Sequence, residues 1–249
     1  MKKILIIVFL FGLIAVSGCS KSDKSSQNIK KEITGQNTPS VELTAKGKEI
    51  FYKESDKTGL KCADCHSDGT NTSNSHTKYT ADIFNANKRP STYCGTFKGD
   101  DVSKNAGGAV LCWKSFFKMD TPLNEEQIKS LNAYFEFVGK DMEVKEFKFS
   151  TIALPKKDKA KLKEDQKKIA SLKGDKIKGE KLFNETCKYC HGEKTNVKDV
   201  TSLSDDFDGD LNSIVFQIRI GSKHMPFYPY EIISDQDIAD LSAFIIGKK

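Results

Sequence analysis

Hydrophobic positions along the chain fall into distinct blocks. Residues 4–16 are an unbroken apolar run of thirteen behind Lys2 and Lys3, and the next two dozen residues are almost wholly polar. A polar stretch of that kind buries too little apolar surface to fold, so a flexible tether is expected there. Further on, apolar residues recur at helical spacing. Ile128, Leu131 and Phe135 make one stripe, and Ile238, Leu241 and Ile245 make another. Steps of three and four place each set on one helix face. Asn124 and Ser234 stand just ahead of the stripes as N-caps, followed by acids that suit the positive end of a helix dipole. Leu162, Ile169 and Leu172 form a sparser stripe in "PKKDKAKLKEDQKKIASLKGD". It predicts a charged, partly exposed helix whose opening proline is tolerated at a helix start. Ahead of it, "MEVKEFKFSTIALP" alternates at Val144 and at Phe147, Phe149 and Thr151, as an extended arm would.

The two strong stripes belong to an internal repeat. "AKGKEIFYKES" matches "IKGEKLFNET", with Gly47 aligned to Gly179, Ile50 to Leu182 and Phe51 to Phe183. Downstream, "LNEEQIKSLNAYFEF" matches "ISDQDIADLSAFIIG". Each copy thus has an opening helix, a polar excursion and a closing helix.

Charge changes this picture little. The net charge of +6 is unevenly placed. Residues 150–173 carry eight lysines against three acids, whereas residues 174–249 carry ten basic and thirteen acidic residues. A nucleic-acid binder concentrates basic charge on a folded face. Here the excess sits in a connector, so no nucleic-acid partner is expected.

The cysteines change it more. Just after each opening helix lies a C-x-x-C pair followed by histidine: Cys62, Cys65 and His66, then Cys187, Cys190 and His191. A zinc ribbon would bring its two pairs within about fifteen to twenty residues of each other, and more than a hundred separate these. A thioredoxin-like pair needs a βαβ context that neither flank offers. The remaining reading is c-type haem attachment, with both thiols on the macrocycle and the histidine beneath the iron. Two covalently bound haem c groups are therefore expected.

Around these motifs each copy resembles the small class I cytochrome c fold, in which first and last helices cross and the haem occupies a crevice. The resemblance covers roughly residues 43–140 and 174–249 and is closer in the second copy, through "GEKLFNETCKYCHG" and "RIGSKHMPF". It implies a mainly α protein of two tandem cytochrome c-like domains, at residues 43–149 and 174–249, joined by a basic, partly helical linker at 150–173. It also implies that Met225, in the "MP" loop, is the second axial ligand of the His191 iron. Met119, in "FFKMDTPLNEEQ", holds the matching place for His66, although its proline comes three residues later. His224 is read as a surface residue, Met142 as packing and His76 as a loop residue.

At the N-terminus "VSGCS" resembles the lipobox of bacterial lipoproteins. This implies a signal peptide at 1–18, a lipid on Cys19 that ties the protein to a membrane of the periplasm or cell envelope, and a tether at 19–42. Cys94 and Cys112 then remain, and two neighbouring thiols in an oxidising exterior are expected to pair. The alternative is a thiolate ligand at the first iron, as in the thiosulfate-oxidising haem proteins this chain is similar to. Two cysteines rather than one, and the place of Met119, argue against it. "SDDFDGDLN" lacks the full calcium-loop pattern and reads as a polar turn before a helix. The functional expectation is a carrier of single electrons between redox proteins. Alternatives are a dihaem oxidoreductase, thiosulfate dehydrogenase-like or peroxidase-like, and an electron-transfer subunit of a larger respiratory complex. No catalytic acid–base group stands out.

Overall fold

Glycines decide where the helices cross. A computed structural model describes residues 39–70, 80–92, 96–146, 154, 159–193, 195, 197–200, 202–203, 209–222 and 225–248. Helix α1 (Pro39–Tyr52) leads to a single turn, α2 (Cys62–Cys65). A two-residue antiparallel pair follows, β1 (Ser91–Thr92) and β2 (Phe97–Lys98), then α3 (Asp100–Lys104), α4 (Ala109–Ser115) and α5 (Glu125–Val138). The second half holds α6 (Leu162–Ala170), α7 (Lys176–Leu182), a π turn (Phe183–Cys187), α8 (Lys188–His191), α9 (Leu211–Ile220) and α10 (Asp235–Ile246). The protein is mainly helical, as expected.

In the first half α1 packs along α5, and a Cβ on Gly47 would lie 2.0 Å from the Ser130 carbonyl oxygen. In the second half α7 packs along α10, and a Cβ on Gly179 would lie 1.9 Å from the Asp240 carbonyl oxygen. Ser130 and Asp240 occupy the same place in the two aligned closing helices. Only glycine lets the backbones approach so closely. The aromatic partners match as well. Phe51 meets Tyr134 with ring centroids 5.7 Å apart, and Phe183 meets Phe244 at 5.4 Å. Burying each such ring contributes about 1.5–3 kcal/mol. Both closing helices open with a reciprocal capping box, Asn124 with Gln127 and Ser234 with Asp237.

Each half has its own core. Phe51, Ile83, Leu131 and Phe135 centre the first, and Val215, Ile233, Ile238 and Leu241 the second. The predicted helix in the basic stretch forms as α6, but it is less of a connector than its charge suggested. Ile169 is 1% exposed within the second core, with Leu162 and Leu172 packed against it. Lysines cover the outer face of that helix while its sparse stripe docks on α9 and α10. The apolar run, the tether up to residue 38, the arm from residue 147 to 153 and most of the aspartate-rich turn lie outside the described residues, but residues 39–42, expected to end the tether, instead open helix α1; Asp210 caps α9 by accepting from Ser213 N at 2.8 Å. Among the described residues no helix is long and apolar enough to cross a membrane.

Candidate functional site

The second half builds a crevice from its repeat. The π turn runs directly from α7 into Cys187, and α8 carries Cys190 and His191. Such wide turns cluster at functional positions, because one extra residue per turn re-aims the side chains that follow. Opposite them the chain reverses at Gly221 (φ +74°), where Ser222 and Met225 bridge through N–O contacts of 3.1 and 2.7 Å. Cys187, Cys190, His191 and Met225 line one cavity of about 360 Å³. Ile214, Ile218, Leu241 and Ile245 supply much of its apolar wall. The volume lies in the roughly 300–1,000 Å³ range of small-molecule and cofactor sites.

The chemistry of these thiols suits the cavity. Burial pushes Cys187 and Cys190 up to about 12, helped by the Cys190 charge at Cys187 and the Asp64 charge at Cys190. Reactive redox thiols need the opposite, an exposed site that lowers the pKa. A largely apolar crevice with two thiols, an imidazole and a thioether on its walls fits a covalently held haem with histidine and methionine ligation.

In the first half, α2 brings Cys62 and Cys65 to the end of a turn that stops at His66, whose N–H donates to Cys62 O at 2.8 Å. Burial drives both thiols well above their ordinary range. His66 Nδ1 donates to Ala81 O at 2.7 Å. A carbonyl can only accept, so Nδ1 carries the proton and Nε2 keeps its lone pair for a metal. Metal-binding histidines are oriented in this way by a partner on the other ring nitrogen.

Next to it lies a group that motif reading missed. Asp68 Oδ2 accepts from Tyr52 at 2.6 Å and from Tyr134 at 2.5 Å, and Oδ1 accepts from Thr70 Oγ1 at 2.7 Å. Burial pushes this carboxyl up, but the hydroxyls of Tyr134, Tyr52 and Thr70 outweigh it and hold it below the usual range. The carboxylate thus pins the His66 segment to α1 and α5. Tyr134→Phe is expected to lower stability by about 1.5–3 kcal/mol, the worth of a hydrogen bond to a charged group. A thermal melt of the purified protein checks it, and an unchanged midpoint would remove Asp68 from this role. The available signal was a tyrosine at the position of Phe244 in the repeat.

The expected distal residues divide. Met225 shares a cavity with His191. Met119 lines another cavity, of about 430 Å³, with Trp113 and Phe117 on its wall and none of Cys62, Cys65 or His66. Its sulfur accepts from Ser55 Oγ at 3.5 Å. Cys112, on α4, lies near enough to Cys62 and Cys65 for its charge to raise both thiols. Its expected partner Cys94 falls outside the described residues, as do Cys19, His76 and His224.

Comparison with known proteins agrees with the geometry of the second half. The family model described as "Cytochrome C oxidase, cbb3-type, subunit III" matches residues 174–245. A cytochrome c6 from Diacronema lutheri is 28% identical over 82 residues, covering 30% of this chain and 98% of that protein. Residues 174–245 are thus a cytochrome c-type domain. Such domains hold haem c covalently and serve electron transfer.

Proposed function

We propose that the chain is an exported, lipid-anchored dihaem cytochrome c that passes single electrons between redox proteins. What carries this reading is the recurrence of one helix crossing. Gly47 on Ser130 and Gly179 on Asp240 stand at the same register, and each opening helix leads into a C-x-x-C-H turn. Cys187, Cys190, His191 and Met225 would hold the second haem, and Cys62, Cys65 and His66 the first, with Met119 as its distal candidate. The haem supplies a one-electron couple, and methionine–histidine ligation raises its potential. The protein's part is to exclude water with the aliphatic wall, to hold Nε2 of His66 deprotonated, and to keep the Met225 loop closed through its Ser222 bridge. The lipobox-like "VSGCS" supports Cys19 as the anchor. The likeness to an oxidase subunit supports work beside a larger respiratory complex, which co-purification from membranes tests.

One observation favours a second reading. The cavity that Met119 lines does not take in His66, while the charge of Cys112 reaches both thiols of the first cysteine pair. An open or thiolate-ligated first iron would make the protein a dihaem oxidoreductase, thiosulfate dehydrogenase-like or peroxidase-like.

The deciding experiment is the near-infrared methionine-to-ferric-iron band of the oxidised holoprotein, scaled to haem content. The carrier predicts two haems per chain and band intensity for two, halved by Met119→Ala and halved by Met225→Ala. Intensity for one haem, abolished by Met225→Ala and untouched by Met119→Ala, would overturn the two-methionine arrangement and favour the oxidoreductase.

A further inference from the structure

The two halves meet at their cysteine motifs. Leu60, two residues before Cys62, lines the cavity of the second half beside Cys190 and Val197. Leu60, Phe117 and Val197 are each 5% exposed and form one apolar cluster, with Cys62 and Cys190 packed against it. Lys198 fastens its rim. Its N–H donates to Thr58 O at 2.8 Å and its Nζ to Asp56 O at 2.8 Å. The second fastening lies between the motifs themselves. Tyr189, inside the second C-x-x-C, donates its hydroxyl to Asp64, inside the first. Asp64 is only 2% exposed and also accepts from Lys61 N at 2.9 Å. Cys65 and Cys190 lie within electrostatic reach of each other.

Two domains joined only by a flexible connector would have no reason to place a leucine from one in the cofactor crevice of the other. Nor would they bury an aspartate in one motif for a tyrosine in the next. We propose that Leu60, Asp64 and Tyr189 are positioning residues that lock the two C-x-x-C-H segments against each other, so that their haems work as one coupled electron-transfer unit. This rests on the two-haem reading above. With haem held at both motifs, an electron entering at either site would pass to the other within the protein, one iron being oxidised as the other is reduced, with no atom or proton exchanged.

Electron paramagnetic resonance of the fully oxidised holoprotein tests it, after haem per chain has been counted. The expected spectrum shows two low-spin ferric signals broadened by each other. Reducing one haem should restore a sharp signal from its neighbour. Leu60→Asp, which puts a charge into the apolar seam, should lose the broadening, and Tyr189→Phe should weaken it with both haems still bound. A protein with two haems per chain whose native spectrum is the plain sum of two isolated signals overturns the coupling and leaves the dihaem reading standing. A count of one haem per chain overturns both, and the count alone reveals it.

Discussion

Gly179→Ala is expected to empty the haem site proposed for the second half and leave the one proposed for the first intact. The added methyl would lie 1.9 Å from Asp240 O, 2.5 Å from Asp240 C and 3.0 Å from Leu241 N. All three are backbone atoms of α10, so no side-chain rotation relieves the contact. Shortening the Asp240 side chain relieves nothing either. The helices must part, at a cost at or beyond the about 3 kcal/mol upper end usual for overpacking. That is a large share of the roughly 5–15 kcal/mol that holds a domain folded. The displacement reaches the cofactor directly, because α7 continues through the π turn into Cys187 without a loop to absorb it. Haem per chain, measured on the purified protein, should fall from the proposed two towards one. Gly47→Ala should do the converse at the first motif, where the methyl would meet Ser130 O at 2.0 Å. Full haem content in both variants would show that the crossings tolerate spreading.

These two glycines also mark what sequence reading can reach. Gly47 with Gly179, Phe51 with Phe183 and the two closing helices were aligned on identity and spacing alone. The structure pairs them in the same register, because a tight crossing demands glycine at one point and a ring one turn on. The C-x-x-C-H turns are legible for a similar reason, as their chemistry is local. The seam between the halves is not. Leu60 precedes its motif, and Asp64 and Tyr189 fill positions that haem attachment leaves free, so neither spacing nor residue type advertises their meeting. Met119 depends on the path of a loop that no helix periodicity fixes. Ile169 looked like part of a partly exposed helix because six of the nine residues in α6 are polar or charged, and three apolar positions along the stretch suffice to dock it. Arg219 was passed over for the opposite reason. A lone charge in "LNSIVFQIRIG" reads as solvent-facing, although it lies one turn beyond Val215, which is fully buried.

Arg219 gives the second large effect. Its side chain is buried, and Nη1 donates to Ile233 O at 2.8 Å and to Tyr228 O at 3.2 Å. Nη2 meets Asp235 Oδ1 at 2.8 Å, while Lys168 from α6 holds Asp235 Oδ2 at 2.7 Å. One guanidinium therefore ties the end of α9 to the segment that returns from Met225 and to the first turn of α10. Arg219→Leu removes the charge but keeps bulk. It leaves two buried carbonyls short of a donor and Asp235 with Lys168 as its remaining ion-pair partner among these contacts. Breaking a buried pair from one side costs about 3–5 kcal/mol. Because the lost bonds hold the Met225 loop, the methionine–iron band proposed for the second half should fade at a lower temperature than the helix signal. The pH dependence follows from Asp235. Burial raises its carboxyl, but Lys168 and Arg219 outweigh burial and hold it below the ordinary range. The unfolded chain titrates near about 3.9. A depressed native pKa contributes stability above the unfolded value and loses it as pH falls through the native one. In Arg219→Leu that depression shrinks, so acid unfolding should begin at higher pH than in the native protein, and Asp235→Asn should abolish this part of the acid dependence. An acid titration followed by circular dichroism checks the order. Coincident acid transitions in the native and Arg219→Leu proteins would mean that Lys168 alone sets the Asp235 carboxylate.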